Sequence, residues 1–197
     1  MSRYTLRDLP GVYRVCAEVD ARGGDTTQHL DAPDLAGHVF AGPYLAHDPT
    51  LGWVVSDERG VAGYIVGTAE STTFERWREQ HWYPMLRRRH PLPSASSLAP
   101  DDARYLRFLH APPRPHTPGL DAYPATLHTK IAPRLTGRGK GRELVAHLVD
   151  ELTRRGVPGI HLDVAASNLA AIAFYERLGF REHRRDDDNR TMIRELA

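Results

Sequence analysis

Apolar positions along this chain recur at two periods, and the switching between them predicts a mixed α/β (α+β) architecture. The C-terminal half is the clearer. Residues 125–131 and 160–164 read as strands. Between them Leu144, Val145, Leu148, Val149 and Leu152 repeat at helical spacing, which predicts a helix over 139–155 stopped by Gly156. Asn168 then caps a second helix whose Ala171, Phe174, Tyr175 and Leu178 share one face, and Gly179 ends it. Residues 180–185 and 191–196 predict a closing hairpin around Asp186-Asp187-Asp188-Asn189.

The N-terminal half is less regular. Residues 4–7 read as a short strand. Pro10 opens a helix with Val12, Val15, Cys16 and Val19 on its apolar side, ended by Gly23-Gly24. A short helix over 34–40 follows, broken by Gly42-Pro43. Residues 53–55 and 61–68 form a hairpin about Asp57-Glu58-Arg59-Gly60. Residues 72–89 carry Phe74, Trp77, Trp82 and Met85 among charges, a helix interrupted near Pro84. Residues 91–102 and 112–118 read as loops, with a strand over 104–110 between them. Many hairpins in this order disfavour a purely parallel, doubly wound sheet.

Length and charge narrow the class. At 197 residues, 41% hydrophobic and 26% charged, the chain fits one domain over 1–197 with a substantial core. A net charge of +1 demands neither nucleic acid nor an acidic membrane as partner. No apolar run approaches the ~18 residues of a membrane span, and no signal-peptide pattern precedes the first elements, so a cytoplasmic protein is expected. Cys16 is the lone cysteine; in its apolar helical setting it reads as a buried, inert thiol. Lysine occurs only at 130 and 140 while arginine is abundant, which reads as codon bias in a GC-rich bacterial genome.

Candidate chemistry concentrates in residues 133–145, Pro-Arg-Leu-Thr-Gly-Arg-Gly-Lys-Gly-Arg-Glu-Leu-Val. Three glycines alternate with two cations, and an apolar-periodic helix follows at once. Such a loop presents several backbone N–H groups at the positive end of a helix, suited to a phosphate or diphosphate. A nucleotide P-loop pattern is not matched, since no Gly-Lys-Ser/Thr occurs. A dinucleotide fingerprint counted from Gly137 would need glycine at 142, which is arginine. A diphosphate loop of the Gly-x-Gly-x-Gly type, after a strand and before an apolar helix, matches on all three features.

Here the sequence resembles the GNAT superfamily of N-acetyltransferases. The first block runs Ile131-Ala132-Pro133-Arg134-Leu135-Thr136-Gly137-Arg138-Gly139-Lys140-Gly141-Arg142-Glu143-Leu144. The second runs Asn168-Leu169-Ala170-Ala171-Ile172-Ala173-Phe174-Tyr175-Glu176-Arg177-Leu178-Gly179-Phe180. The firm resemblance covers 124–185. Residues 51–54, 61–68, 74–89 and 123–128 are also similar to the acetyltransferase-like C-terminal domain of animal O-GlcNAcases and its free-standing bacterial relatives. That animal domain is regarded as a pseudo-acetyltransferase with a degraded glycine loop; here the loop is intact.

The resemblance implies a GNAT fold: a mostly antiparallel mixed sheet with central splayed parallel strands, flanked by helices. It implies acetyl-CoA as cosubstrate, no metal, and an amine acceptor that is a small molecule or a peptide or protein. Gly137, Arg138, Gly139, Lys140, Gly141 and Arg142 would hold the diphosphate, with Thr136 at the loop entrance where the family carries Gln or Arg. Thr129, Ile131, Asn168, Ala171, Phe174 and Tyr175 would line the pantetheine arm. Tyr175 stands at the family's general-acid position; a phenol with pKa ~10 stays protonated at neutral pH and can donate. A core tyrosine is the alternative. His128 is the candidate base, against a purely structural histidine. Asp121, Tyr123 and Asp163 are further candidates. Family members often carry an acidic residue two positions after this histidine, where this chain has Lys130.

Other groupings are less specific. His110 and His116 lack a matching cysteine or carboxylate cluster, which argues against a metal. Arg87-Arg88-Arg89-His90 reads as a solvated helix end or an anion patch. Trp77, Trp82, Tyr83 and Tyr123 either wall an acceptor pocket or pack in the core. An N-acetyltransferase is expected, with a homodimer compatible. The alternatives are a catalytically weak acyl-CoA-binding or interaction module, which Lys130 and Thr136 motivate, and a nucleotide-binding protein.

Overall fold

Alternation along the strands separates two apolar clusters on opposite faces of one sheet. The computed structural model describes residues 1–19, 32–92, 100–112 and 119–196. Strands β1 (Ser2–Arg3), β2 (Gly52–Asp57), β3 (Gly60–Thr68), β4 (Ala125–Ile131), β5 (Gly159–Ala165), β6 (Arg181–Arg185) and β7 (Asn189–Glu195) form a sheet in the order β1-β2-β3-β4-β5-β7-β6. Neighbours are antiparallel except β4 and β5, which are parallel. Trp53, Val55, Ile65, Leu127, Ile160 and Leu162 point to one face. Val54, Tyr64 and Val66 point to the other.

Helices α7 (Lys140–Arg154) and α8 (Leu169–Arg177) cover the first face. The expected stripe on α7 is the buried one: Leu144, Leu148 and Leu152 are inaccessible to solvent. The second face carries α1 (Leu9–Glu18), α2 (Asp34–Phe40), α3 (Gly42–His47), α4 (Ser71–Trp77), α5 (Tyr83–Arg89) and α6 (Pro100–His110). Cys16 lies in this second core with 0% exposure, and burial pushes its thiol pKa up.

The expected GNAT architecture is present, with local corrections. Residues 4–7 are not a strand: β1 ends at Arg3, and Thr5 and Asp8 exchange capping contacts around a 3₁₀ turn, Leu6–Asp8. Residues 104–110 belong to helix α6, which also takes up 100–102. The buried positions Ala103, Leu106 and Leu109 are spaced by three, which is a helical face. The interruption in 72–89 is a π-helical turn, Arg78–Trp82, just before Pro84. Proline has no N–H to continue the α ladder, and a widened turn absorbs the mismatch. The expected end at Gly23-Gly24 and most of the loops at 91–102 and 112–118 lie outside the described residues.

Candidate functional site

The parallel pair β4–β5 is joined only at its start. Ala125 pairs with Ile160 and Thr126 with His161; beyond that the strands diverge. From Leu127 onward, the edge of β4 that faces β5 has no partner strand among the described residues. A cavity of about 960 Å³ opens at this splay. Its donor-side wall includes Thr129, Ile131, Asn168, Ala171 and Tyr175. His128 and Asp163 line it from the second sheet face.

The glycine loop stands at the Ile131 end of β4. A 3₁₀ turn, Pro133–Leu135, leads into it, and Arg134 fastens that turn to the β2–β3 hairpin through Asp57 at 2.7 Å. Gly137 and Gly139 have φ of 77° and 75°, a region that side chains with a Cβ rarely enter. Gly139 caps α7, and the first helical bond runs from Glu143 N–H to Gly139 O at 3.2 Å. The N–H groups of Lys140, Gly141 and Arg142 therefore have no helical acceptor and point out of the helix start. The Arg138 N–H is already donated to Leu135 O at 3.3 Å. Lys140 pairs with Glu143 at 2.8 Å, whereas Arg138 and Arg142 are exposed and form no ion pair among the described residues. A Cβ on Gly141 would lie 3.2 Å from the Phe174 ring, so this glycine lets α7 and α8 approach each other. Thr136 is exposed at the loop entrance.

Asn168 caps α8 through Oδ1, which accepts from Ala171 N–H at 3.0 Å. Its capping role fixes the side chain beside the cavity and leaves its amide N–H₂ outside that bond. Thr129 turns its hydroxyl away, donating to Tyr64 O at 2.6 Å. Tyr175 is 7% exposed and sits edge-on to Phe174 and Phe180. Among the described residues its hydroxyl has no hydrogen-bond partner, and burial pushes its pKa above the ordinary phenol value. It is a neutral donor facing the cavity.

His128 is held differently. Its ring stacks on Phe40 at 5.2 Å, and Nδ1 lies 3.1 Å from the Tyr64 hydroxyl. Burial, with the charge of Lys130 adding to it, lowers the pKa to about 3. The imidazole is thus neutral at physiological pH and a weak base. Lys130 extends to the carbonyls at the end of α1, bonding Cys16 O at 2.9 Å and Val19 O. There the cation meets the negative end of the helix dipole.

The other sequence candidates divide between the cavity and the rest of the molecule. Asp163 lines it and accepts from Thr191 Oγ1 at 2.6 Å. Asp121 is exposed elsewhere; Tyr123 is buried and receives a bond from Arg181. Trp77, Trp82 and Tyr83 pack in the second core rather than walling the cavity. The aromatic wall consists of Phe40, Tyr44, Tyr105 and Phe108, and Glu75 and Arg78 line the same cavity. Sequence reasoning missed these six because five separate elements, α2, α3, α4, the π turn and α6, contribute them. Arg87 is engaged by Glu79 and Leu109 O, while Arg88 and Arg89 are exposed at the helix end. His110 bonds His90 O, His116 lies outside the described residues, and no metal-binding cluster occurs among the described residues.

A splayed parallel pair beside a glycine-capped helix defines an acetyltransferase class, and the comparisons agree. The chain belongs to the acetyltransferase (GNAT) family, whose profile matches residues 26–180. It is 24% identical over 178 residues to protein O-GlcNAcase of Rattus norvegicus, which covers 89% of this chain and 19% of that protein. A 52-residue stretch is 54% identical to the ribosomal protein bS18-alanine N-acetyltransferase of Escherichia coli (strain K12), covering 26% of this chain and 35% of that enzyme. The chain therefore spans only about a fifth to a third of these relatives' lengths. The crystal structure of SsHAT superposes with a TM-score of 0.90 at 34% identity, covering 99% of this chain and 96% of that one. The likeness to the acetyltransferase domain of O-GlcNAcases thus holds. No helix among the described residues is long and apolar enough to cross a membrane.

Proposed function

We propose that residues 1–197 act as one acetyl-CoA-dependent N-acetyltransferase domain, with an amine as acceptor. The single observation that carries this reading is the splay of β4 from β5 beside the Gly137–Gly141 loop, with Tyr175 facing the gap. The residues fit the cosubstrate. Positive-φ glycines keep bulk away from the loop, three helix-start N–H groups point outward, and Arg138 and Arg142 offer unpaired cations for a diphosphate. Ile131, Ala171 and Phe174 give the pantetheine arm apolar contact, and the free edge of β4 offers it backbone groups.

Bound there, acetyl-CoA supplies an activated acetyl thioester. Backbone N–H groups near Ile131 stabilise charge that develops on the carbonyl oxygen. Tyr175 donates its proton to the departing thiolate. The acceptor must reach the site as a free amine, since nucleophilic attack needs its lone pair. His128, as a neutral imidazole of low basicity, accepts an amine hydrogen bond and passes the proton toward water.

Calorimetry with acetyl-CoA and a thiol-release assay over an amine panel test the reading. It expects micromolar binding and amine-dependent thiol release. Absence of acetyl-CoA binding overturns it. The weak basicity of His128 and the engagement of Lys130 by α1 favour one second reading, an acyl-CoA-binding module. Tight binding with no turnover on any amine would establish the module instead.

A further inference from the structure

The lining of the cavity includes a buried charge that the transfer chemistry above does not use. Arg78 is 6% exposed and lines the cavity. Its guanidinium lies over the rings of Phe74 at 5.4 Å and Tyr83 at 5.0 Å, which hold its plane. A guanidinium has five N–H donors. Among the described residues its only hydrogen-bond partner is Glu75, and its Nε is buried with none. Buried polar groups are ordinarily satisfied, so an arginine this dry and this poorly paired has capacity for an oxyanion.

Its position relative to the transfer point follows from the strand. Thr126, His128 and Lys130 alternate toward the second sheet face and line the cavity in that order. Tyr44 carries the electrostatic influence of Arg78, Glu75 and Asp163 and lies beside Thr126, so the arginine belongs to the Thr126 end. The glycine loop and α8 belong to the Ile131 end, where Gly141, Ile131 and Phe174 meet. Three to five strand residues at ~3.3 Å each separate the ends by roughly 10–16 Å. Phe40 and Phe108 give the interval an apolar wall.

We propose that Arg78 is the specificity-determining anchor of the acceptor, and that the acceptor is an amine bearing a carboxylate several bonds away. This deepens the acetyltransferase reading and rests on it for the position of the amine. Arg78 takes the carboxylate through its planar fork, the apolar wall takes the intervening carbons, and the amine lies at the splay beyond His128. Glu75 is a positioning residue: it holds one Nη and leaves the other donors for the ligand. A singly charged carboxylate suits this wall better than a phosphate dianion, which Glu75 would repel.

The test compares 6-acetamidohexanoate with its neutral isostere N-hexylacetamide by calorimetry on the full chain, with and without CoA. The acid is expected to bind at least tenfold more tightly, and Arg78→Gln to erase that difference. Arg78→Lys, which keeps the charge without the fork, should retain part of it. Equal affinities within twofold in the unsubstituted protein overturn the proposal, whether or not any variant folds. So does a preference that survives Arg78→Gln in a protein with unchanged circular dichroism. Thiol release with 6-aminohexanoate and hexylamine separates the two levels. Acid-selective binding without transfer to any amine removes the transferase reading and leaves the anion site. Transfer at equal kcat/KM with no binding preference leaves the transferase and removes Arg78 as anchor.

Discussion

The two ends of the cavity, proposed for donor and acceptor, are built by different means. The donor end is made mainly of backbone: positive-φ glycines, helix-start N–H groups and the free edge of β4. The acceptor end is made of side chains from α2, α3, α4, the π turn and α6, held by stacked and edge-on ring contacts and the part-buried Arg78–Glu75 ion pair. A backbone site depends on local conformation, so it is written in consecutive residues. A side-chain site depends on packing between distant segments, so it can change its ligand while the fold is kept.

Substitutions at the donor end are expected to have the largest effects. Gly139→Glu forces a Cβ into φ 75° and puts a carboxylate where the proposed reading places the diphosphate. Strain of ~1–2 kcal/mol and direct charge repulsion act together, so acetyl-CoA affinity should fall at least ~100-fold by calorimetry. Unchanged affinity would sink the loop assignment. Tyr175→Phe removes only the hydroxyl. Turnover is expected to drop by ~10²-fold while acetyl-CoA affinity stays within threefold. Full activity in that variant would mean that another group protonates the thiolate.

The joint between the two halves gives a smaller effect, on stability. Glu151 on α7 is 6% exposed and accepts from Arg3, Arg154 and Arg155, the last of which also reaches Asp48 and Thr50. These contacts, Arg154 first, hold its pKa at about 2. Because the folded value lies below the ordinary ~4.3, the stabilisation is complete above that pH and is lost as pH falls toward 2. Glu151→Gln should cost ~1–3 kcal/mol at pH 7 in urea unfolding and flatten the acid limb. An unchanged midpoint would show that the joint contributes nothing.

The smallest expected effect lies at the acceptor end. His128 is neutral in the fold down to pH about 3, whereas the unfolded chain protonates it near pH 6.5. Between those values the unfolded state binds the extra proton, so this residue makes stability decline as pH falls from 7 toward 4. His128→Gln should lessen the decline in urea midpoint from pH 7 to pH 5. An identical decline would show that the imidazole is not buried in its neutral form.

Much of this contrast was legible along the chain. The α7 stripe, the Asn168 cap, the glycine loop and the last hairpin are local patterns, and the structure keeps them within a residue or two. The strand expected over 104–110 fails because seven residues are too short a stretch to fix the period, and burial of Leu106 and Leu109 in the second core accompanies a helix there. Of the two readings open for Trp77, Trp82, Tyr83 and Tyr123, core packing holds, and Phe40 and Tyr105 line the cavity instead.

What the sequence determined alone was the fold class and the backbone loop, because helical period, capping and glycine conformation act over a few neighbouring residues. Only the tertiary structure decided the acceptor end. Arg78 and Glu75 are two more charges in a polar helix until the π turn before Pro84 and the rings of Phe74 and Tyr83 bury them beside Thr126. The burial that leaves Arg78 short of partners and makes His128 a weak base is a property of packing, which no single segment contains.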